Sequence, residues 1–216
     1  MLRACMCVLV LTAAMACAQE WEVGAIGGFG AGNDFTVKRG DGATASAGLK
    51  NGAVFGVYGG EDMYRYWSGE ATYLYRQSSL KESSAGVSES FAAHTHLMTG
   101  EILAHFKPRE SRMRPFFSFG GGLKLLAATG DEGAPQPLCL TASTCFAALT
   151  ATRQVQPVGV IGAGVKYKVN NHLRLRVQIR DFISTKPKDV IAPGPGSTMS
   201  GIPNDFVATL SVGYIW

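Results

Sequence analysis

From Phe206 to Trp216 the chain reads FVATLSVGYIW, and every second side chain is apolar or aromatic. Phe206, Ala208, Leu210, Val212, Tyr214 and Trp216 form one series, while Val207, Thr209, Ser211, Gly213 and Ile215 form a smaller or more polar one. A period of two is the mark of an extended strand with one apolar face. After residue 18 no apolar run reaches the ~20 residues that a membrane-spanning helix needs. A chain of this kind can therefore enter a membrane only as a closed β-barrel, which pairs every backbone N–H and C=O within itself.

The same alternation recurs seven times upstream. Trp21 to Phe29, Ala53 to Val57, Trp67 to Tyr75, Met98 to Phe106, Phe117 to Leu125, Val155 to Tyr167 and Leu173 to Ile179 each carry an apolar series at every second position. Eight such stretches predict an all-β, eight-stranded, antiparallel up-and-down transmembrane β-barrel, since a tilted membrane strand needs ~9–11 residues. Short turns are expected near Gly60-Glu61-Asp62, between Lys107 and Arg114, and at Asn170-Asn171-His172. Long polar connections are expected over 32–45, 78–90, 130–150 and 184–204. Pairing of part of 130–150 into a ten-stranded barrel remains an alternative. The second series on each strand is polar or glycine-rich and includes Glu22, Glu70, Glu101, Lys124, Lys166, Arg174 and Arg176, with the bulky Tyr58, Tyr66, Arg76 and Phe116. Such a face cannot fill a dry soluble core. It is expected to line the barrel, where carboxylates and cations pair across the lumen. Glu70, Glu101 and Lys124, on successive strands, are the expected pair or triad.

The first 18 residues have one cation, Arg3, and an apolar run from Ala4 to Ala16. Ala16-Cys17-Ala18 fits the small-x-small rule for cleavage, so residues 1–18 read as a secretory signal removed between Ala18 and Gln19. Residues 19–216 then form one barrel domain. Lipidation at Cys17 is an alternative, although Ala14-Met15-Ala16-Cys17 lacks the usual leucine three residues before the cysteine. Removing Arg3 takes the formal charge from +4 to +3, which gives no bulk attraction for nucleic acid. Cys139 and Cys145 are the two cysteines left in the exported chain, and an oxidising compartment favours a disulfide between them.

Candidate chemistry is sparse. Gly27-Gly28-Phe29-Gly30 and Gly120-Gly121-Gly122 lack dinucleotide-binding spacing and precede no helical pattern, so they read as strand glycines. His94 and His96 share a strand face but lack a convincing third ligand, and read as solvated interfacial residues rather than a metal site. Glu101 and His105 lie roughly 13 Å apart along a strand, too far for an acid–base pair. No catalytic, cofactor or metal site is expected.

Phe106-Lys107-Pro108 with Arg114-Pro115-Phe116 and Gly120-Gly121-Gly122 resembles the turn and fifth strand of small outer-membrane β-barrels. Gly162-Ala163-Gly164-Val165-Lys166-Tyr167 and Arg180-Asp181-Phe182 resemble their sixth and seventh strands. The family is the eight-stranded group that includes OmpX and the OmpA transmembrane domain. Tyr214 and Trp216, at the phase of the last strand, resemble the terminal signal read by the barrel assembly machinery. The resemblance implies an integral, non-enzymatic protein of the cell outer membrane, in contact with outer-membrane lipid and lipopolysaccharide. Its surface loops would serve structural, adhesion or recognition roles toward an extracellular ligand. A porin-like channel for ions or small solutes is the alternative, and a lipid-modifying enzyme a third. No Ser-His arrangement like that of lipid A deacylases and no omptin-like constellation is apparent. No peptidoglycan-binding domain follows Trp216, so a cell-wall tethering role does not carry over. Trp21, Trp67, Tyr75, Tyr167 and Trp216 suit aromatic girdles at the membrane surfaces.

Overall fold

The computed structural model describes residues 20–141 and 144–216. The expected cleavage between Ala18 and Gln19 lies outside the described residues. Among the described residues no helix is long and apolar enough to cross a membrane. The described residues form thirteen strands: β1 (Glu20–Gly32), β2 (Phe35–Lys38), β3 (Thr44–Leu49), β4 (Gly52–Tyr64), β5 (Trp67–Ser84), β6 (Val87–His105) and β7 (Met113–Ala128). The remainder are β8 (Ala147–Leu149), β9 (Arg153–Lys168), β10 (Leu173–Ser184), β11 (Ile191–Pro193), β12 (Thr198–Ser200) and β13 (Asn204–Ile215).

Eight of them close into a ring in the order β1, β4, β5, β6, β7, β9, β10, β13 and back to β1. Every neighbour is antiparallel, and the seam runs from Glu22 opposite Ile215 to Gly32 opposite Asp205. The alternation of the sequence becomes the wall. On β13, Phe206, Leu210, Val212 and Tyr214 are exposed outward, while Val207, Thr209 and Ser211 are buried inward. The pleat produces this sorting because successive side chains leave opposite faces of a strand. Trp21, Trp67, Tyr167, Tyr214 and Trp216 gather outward at the end of the barrel with the short turns.

Three expectations about the connections are corrected. The turn after β4 is at Arg65-Tyr66; Gly60, Glu61 and Asp62 continue the strand and pair with β5 and β1. Tyr66 is therefore exposed in the turn rather than inside the lumen. Residues 78–90 are not a loop. β5 and β6 stay paired beyond the barrel to a two-residue turn, Ala85-Gly86, both with positive φ (48° and 83°). That backbone is the one whose twist matches a tight hairpin, and it suits glycine at the second position. The stretch 32–45 contains β2 and the start of β3; β2 and β3 stack with β12 onto the protruding part of β5. The short β8 pairs with β11 in a separate two-stranded sheet, so the 130–150 connection adds no strand to the barrel.

The protruding hairpin and the long connections enclose a core of their own. Phe35, Val37, Leu80, Phe91, Leu126, Leu138, Phe146, Leu149 and Ile191 are among its buried members. Cys139 and Cys145 are joined by a disulfide at its edge. This apolar cap sits over the long-loop end of the barrel.

The seam depends on its last rungs. Trp216 N–H bonds to the Trp21 carbonyl at 3.2 Å, and the Trp216 ring stacks near Tyr214. Deleting Trp216 is expected to lower the yield of folded, heat-modifiable protein in membranes more than any single loop deletion. Gel mobility of unheated and heated samples measures it, and an unchanged folded fraction would count against a closing role.

Candidate functional site

The inward face of the barrel is a column of paired charges. Among the described residues seven cations, Arg76, Arg114, Lys124, Lys166, Arg174, Arg176 and Arg180, share the lumen with five carboxylates, Glu22, Asp62, Glu70, Glu101 and Asp205, all buried. At the short-turn end Glu22 accepts from Lys166 Nζ at 3.0 Å, Arg174 Nη1 at 2.7 Å and the Tyr58 hydroxyl at 2.5 Å. Beside it Asp62 accepts from Arg114 Nη1 at 2.8 Å and lies 3.5 Å from Arg174 Nη1. In the middle Arg176 bonds Glu70 and stacks 3.9 Å over the Tyr58 ring, while Arg180 bonds Glu101 at 3.0 Å. At the long-loop end one carboxylate serves two cations: Asp205 pairs with Arg76 at 2.6 Å and with Lys124. Between the charged levels, Leu74, Leu97, Val160, Phe182 and Val207 fill the bore.

Each bridge joins strands that are far apart in the chain. Two close approaches make room for them. A Cβ on Gly213 would stand 2.3 Å from the Tyr58 hydroxyl and 2.6 Å from Glu22 Oε1. Glycine there leaves room for the bond between Tyr58 and Glu22, which lie on the neighbouring strands β4 and β1.

All seven residues expected to supply interior charges, Glu22, Glu70, Glu101, Lys124, Lys166, Arg174 and Arg176, line the lumen. The expected partnership of Glu70 and Glu101 with Lys124 is corrected: Glu70 takes Arg176, Glu101 takes Arg180 and Lys124 takes Asp205. Asp62, Asp205, Arg76, Arg114 and Arg180 complete the network and were not expected as pairing partners. Asp62 reads as a turn residue, and Asp205 precedes the apolar series of the last strand by one position. The signal available for both was phase, because each lies an even number of residues from known inward positions.

One Ser–His contact also appears that the sequence conceals. Ser68 Oγ lies 2.7 Å from His105 Nε2 and donates to Asp62 Oδ1 at 2.5 Å, all three buried. The serine is the middle member of this chain. Its hydroxyl proton points at a carboxylate that Arg114 already neutralises, rather than at the imidazole that would have to remove it. His94 and His96 stand on the outer wall with Tyr73 and Tyr75. Among the described residues no group of three or more His, Cys, Asp or Glu is placed to hold a metal ion.

The cap holds a different arrangement. The register sets Glu82 directly opposite Glu89, with both side chains turned into the apolar cap. Glu82 is fully buried, and neither of its oxygens is bonded to a protein donor. Glu89 accepts the Leu138 N–H at 3.2 Å, which ties the disulfide-bearing loop to the hairpin. Burial, and then the facing Glu89 carboxylate, push Glu82 up to about 8.

A closed eight-stranded ring with an apolar exterior and an ion-paired interior is an integral outer-membrane barrel. The chain belongs to the outer membrane protein beta-barrel domain family, whose model matches residues 4–215. Its fold is similar to Neisserial surface protein A, with a TM-score of 0.54 at 12% identity over 90% of this chain and 96% of that one. It is also similar to OprG from Pseudomonas aeruginosa, with a TM-score of 0.55 at 12% identity over 92% and 95%. The outer-membrane protein AlkL gives a TM-score of 0.51 at 14% identity over 91% and 90%. No curated protein matches the chain in sequence.

Two outcomes follow from these geometries. Asp205→Ala leaves Arg76 and Lys124 buried together without a counter-charge, whereas Glu101→Ala strands Arg180 alone. Removing one partner of a buried pair costs roughly 3–5 kcal/mol, so Asp205→Ala should be the more destabilising of the two. Urea unfolding of the refolded proteins in detergent measures the order, and a wild-type midpoint for Asp205→Ala would refute it.

The cap should loosen in alkali. The folded state holds the Glu82 proton more tightly than the unfolded chain, whose carboxyl titrates near 4.5. The contribution to stability is thus full below about pH 4.5, declines as pH rises and is lost on passing about pH 8. Protection of the Leu138 amide, which Glu89 accepts, corrected for intrinsic exchange, should fall between pH 6 and 9, and Glu82→Gln should flatten that fall. The same slope in the variant would exclude Glu82 as its source.

Proposed function

We propose that the protein is a non-enzymatic barrel with a closed lumen, an anchor in the outer membrane that carries recognition on its extracellular cap. The observation that supports this most directly is the continuous column of cross-lumen pairs from Glu22 to Asp205, roofed by the apolar cap. An eight-stranded barrel is only wide enough for side chains to fill it, and these side chains are long and mutually bonded. Catalysis finds little support. Ser68 has no free general base, and the lumen around it is packed. Function then falls to the long connections, which a rigid scaffold presents to solvent. We further propose that the short-turn end faces the periplasm, that Tyr214 and Trp216 are read by the barrel assembly machinery, and that residues 1–18 are removed as a signal. The extracellular ligand of the cap is a partner that the loops would select.

A second reading, a narrow channel, draws on the imbalance of seven lumen cations against five carboxylates, which would favour anions. Conductance in planar bilayers separates the two. The wild-type barrel should give no reproducible porin-sized steps at neutral pH. Steady steps of that size, with anion selectivity, would replace the anchor reading with the channel.

A further inference from the structure

Among the described residues, the balance of charge along the lumen fails at one level. At the short-turn end Lys166, Arg174 and Arg114 face Glu22 and Asp62, and Glu20 at the rim adds a third carboxylate 3.7 Å from Arg174. In the middle Arg176 with Glu70 and Arg180 with Glu101 balance one to one. At the long-loop end Arg76 and Lys124 share the single carboxylate of Asp205. The surplus positive charge of the lumen therefore lies in this top level.

That level is one polar layer. Its inward residues are Arg76 on β5, Thr95 on β6, Lys124 on β7, Gln156 on β9, Ser184 on β10 and Asp205 on β13, all buried. The register sets Arg76 opposite Thr95 and Lys124 opposite Gln156. Thr95 faces Leu126, which makes it the diagonal neighbour of Lys124. One inward step toward the short turns, the same strands carry Leu74, Leu97, Val158, Phe182 and Val207, members of a single apolar cluster. One step the other way, Ala93 and Leu126 belong to the core of the cap. Apolar side chains thus bound the layer on both sides, and a charge there is far less screened than in water.

Several polar groups of the layer are uncommitted. Neither atom of the Gln156 amide, nor the Thr95 hydroxyl, nor Arg76 Nε has a hydrogen-bond partner in the protein. Lys124 Nζ bonds Asp205 and reaches Ser184 Oγ only at 3.5 Å. A cavity of 20 Å³ abuts Lys124 and Asp205 beneath Phe35, Leu126 and Ile191 of the cap. It has room for one water-sized or monatomic species. The cavity and the Gln156 and Thr95 donors meet at Lys124, which is common to both.

We infer that this layer binds one chloride ion, with Lys124 as its counter-charge and the Gln156 amide N–H and Thr95 hydroxyl as hydrogen-bond donors. The inference rests on the closed-lumen reading. Charge sets the sign of the ligand: water could satisfy the donors but would leave the surplus charge buried, which is costly. Size sets its class, because the cavity excludes phosphate, sulfate and organic carboxylates. Asp205 also borders the cavity, but its two oxygens are already taken by Arg76 and Lys124. The ion therefore sits on the Gln156 side of the ammonium. It is taken up as the barrel closes, and the cap slows its escape.

The full-length barrel is refolded into neutral detergent in sodium bromide, with bromide standing in for chloride, and then desalted into gluconate. Ion chromatography of the denatured sample counts retained halide, and heat-modifiable mobility checks the fold of every sample. The wild type should retain one bromide per barrel. Lys124→Met, which leaves Arg76 and Asp205 matched, should retain none. Gln156→Leu, which keeps every charge, should retain less, and it carries the test if Lys124→Met fails to fold. The wild-type thermal midpoint should be higher in chloride than in gluconate at equal ionic strength, and Lys124→Met should lose that difference. Wild-type retention by either variant would overturn the site. So would equal protection by sulfate, which would show screening alone. Absence of bromide from a wild type that gives no porin-sized conductance steps would overturn the site and leave the closed lumen standing. Absence together with such steps would overturn both.

Discussion

A backbone amide in hydrocarbon has no water to turn to, and an unsatisfied one costs several kcal/mol. That constraint organises the whole molecule. It forbids a free sheet edge, so β13 must meet β1, and the seam from Glu22–Ile215 to Gly32–Asp205 is as continuous as any other strand pair. Closure by eight strands in turn sets a bore too narrow for water to fill freely. The inward residues must therefore satisfy one another, which converts a polar face into a network.

The network is held by a few shared carboxylates. Glu22 collects Lys166, Arg174 and Tyr58, and Asp205 collects Arg76 and Lys124. Sharing suits a lumen with more cations than carboxylates, because each acid then offsets more than one positive charge. Buried pairs of this kind add little net stability over apolar packing, but breaking one is costly. Their value lies in specificity: each carboxylate links particular strands across the bore and penalises a slipped register.

Beyond the barrel the same sheet is used differently. β5 and β6 run on as a hairpin, and β2, β3 and β12 pack beside it to build a second, apolar core. The lumen and the cap are thus opposites, one full of paired charges and the other nearly free of them. Glu82 and Glu89 are the exception, and their position under the Leu138 amide ties the disulfide-bearing loop to the hairpin.

Alternation alone determined which residues face lipid and which face the lumen, because the pleat allows no other sorting. The eight barrel strands, the outward-facing tryptophans and the seven inward charges were legible for that reason. Composition misled at the ends of strands. Asp62 looked like a turn residue although the alternation runs through it, and the polar stretch 78–90 looked like a loop. Past the barrel ring the hairpin packs on the cap and not on lipid, so Leu80 and Phe91 turn into the cap core while Lys81 and Ser90 face the other way. Partner choice was decided only by the closed ring. Glu101 and Lys124 are near in sequence order, but curvature and stagger of the barrel carry Arg180 to Glu101 and Asp205 to Lys124 across the bore. The face of each residue follows from a local period, whereas its partner follows from which strands the closed ring sets opposite one another.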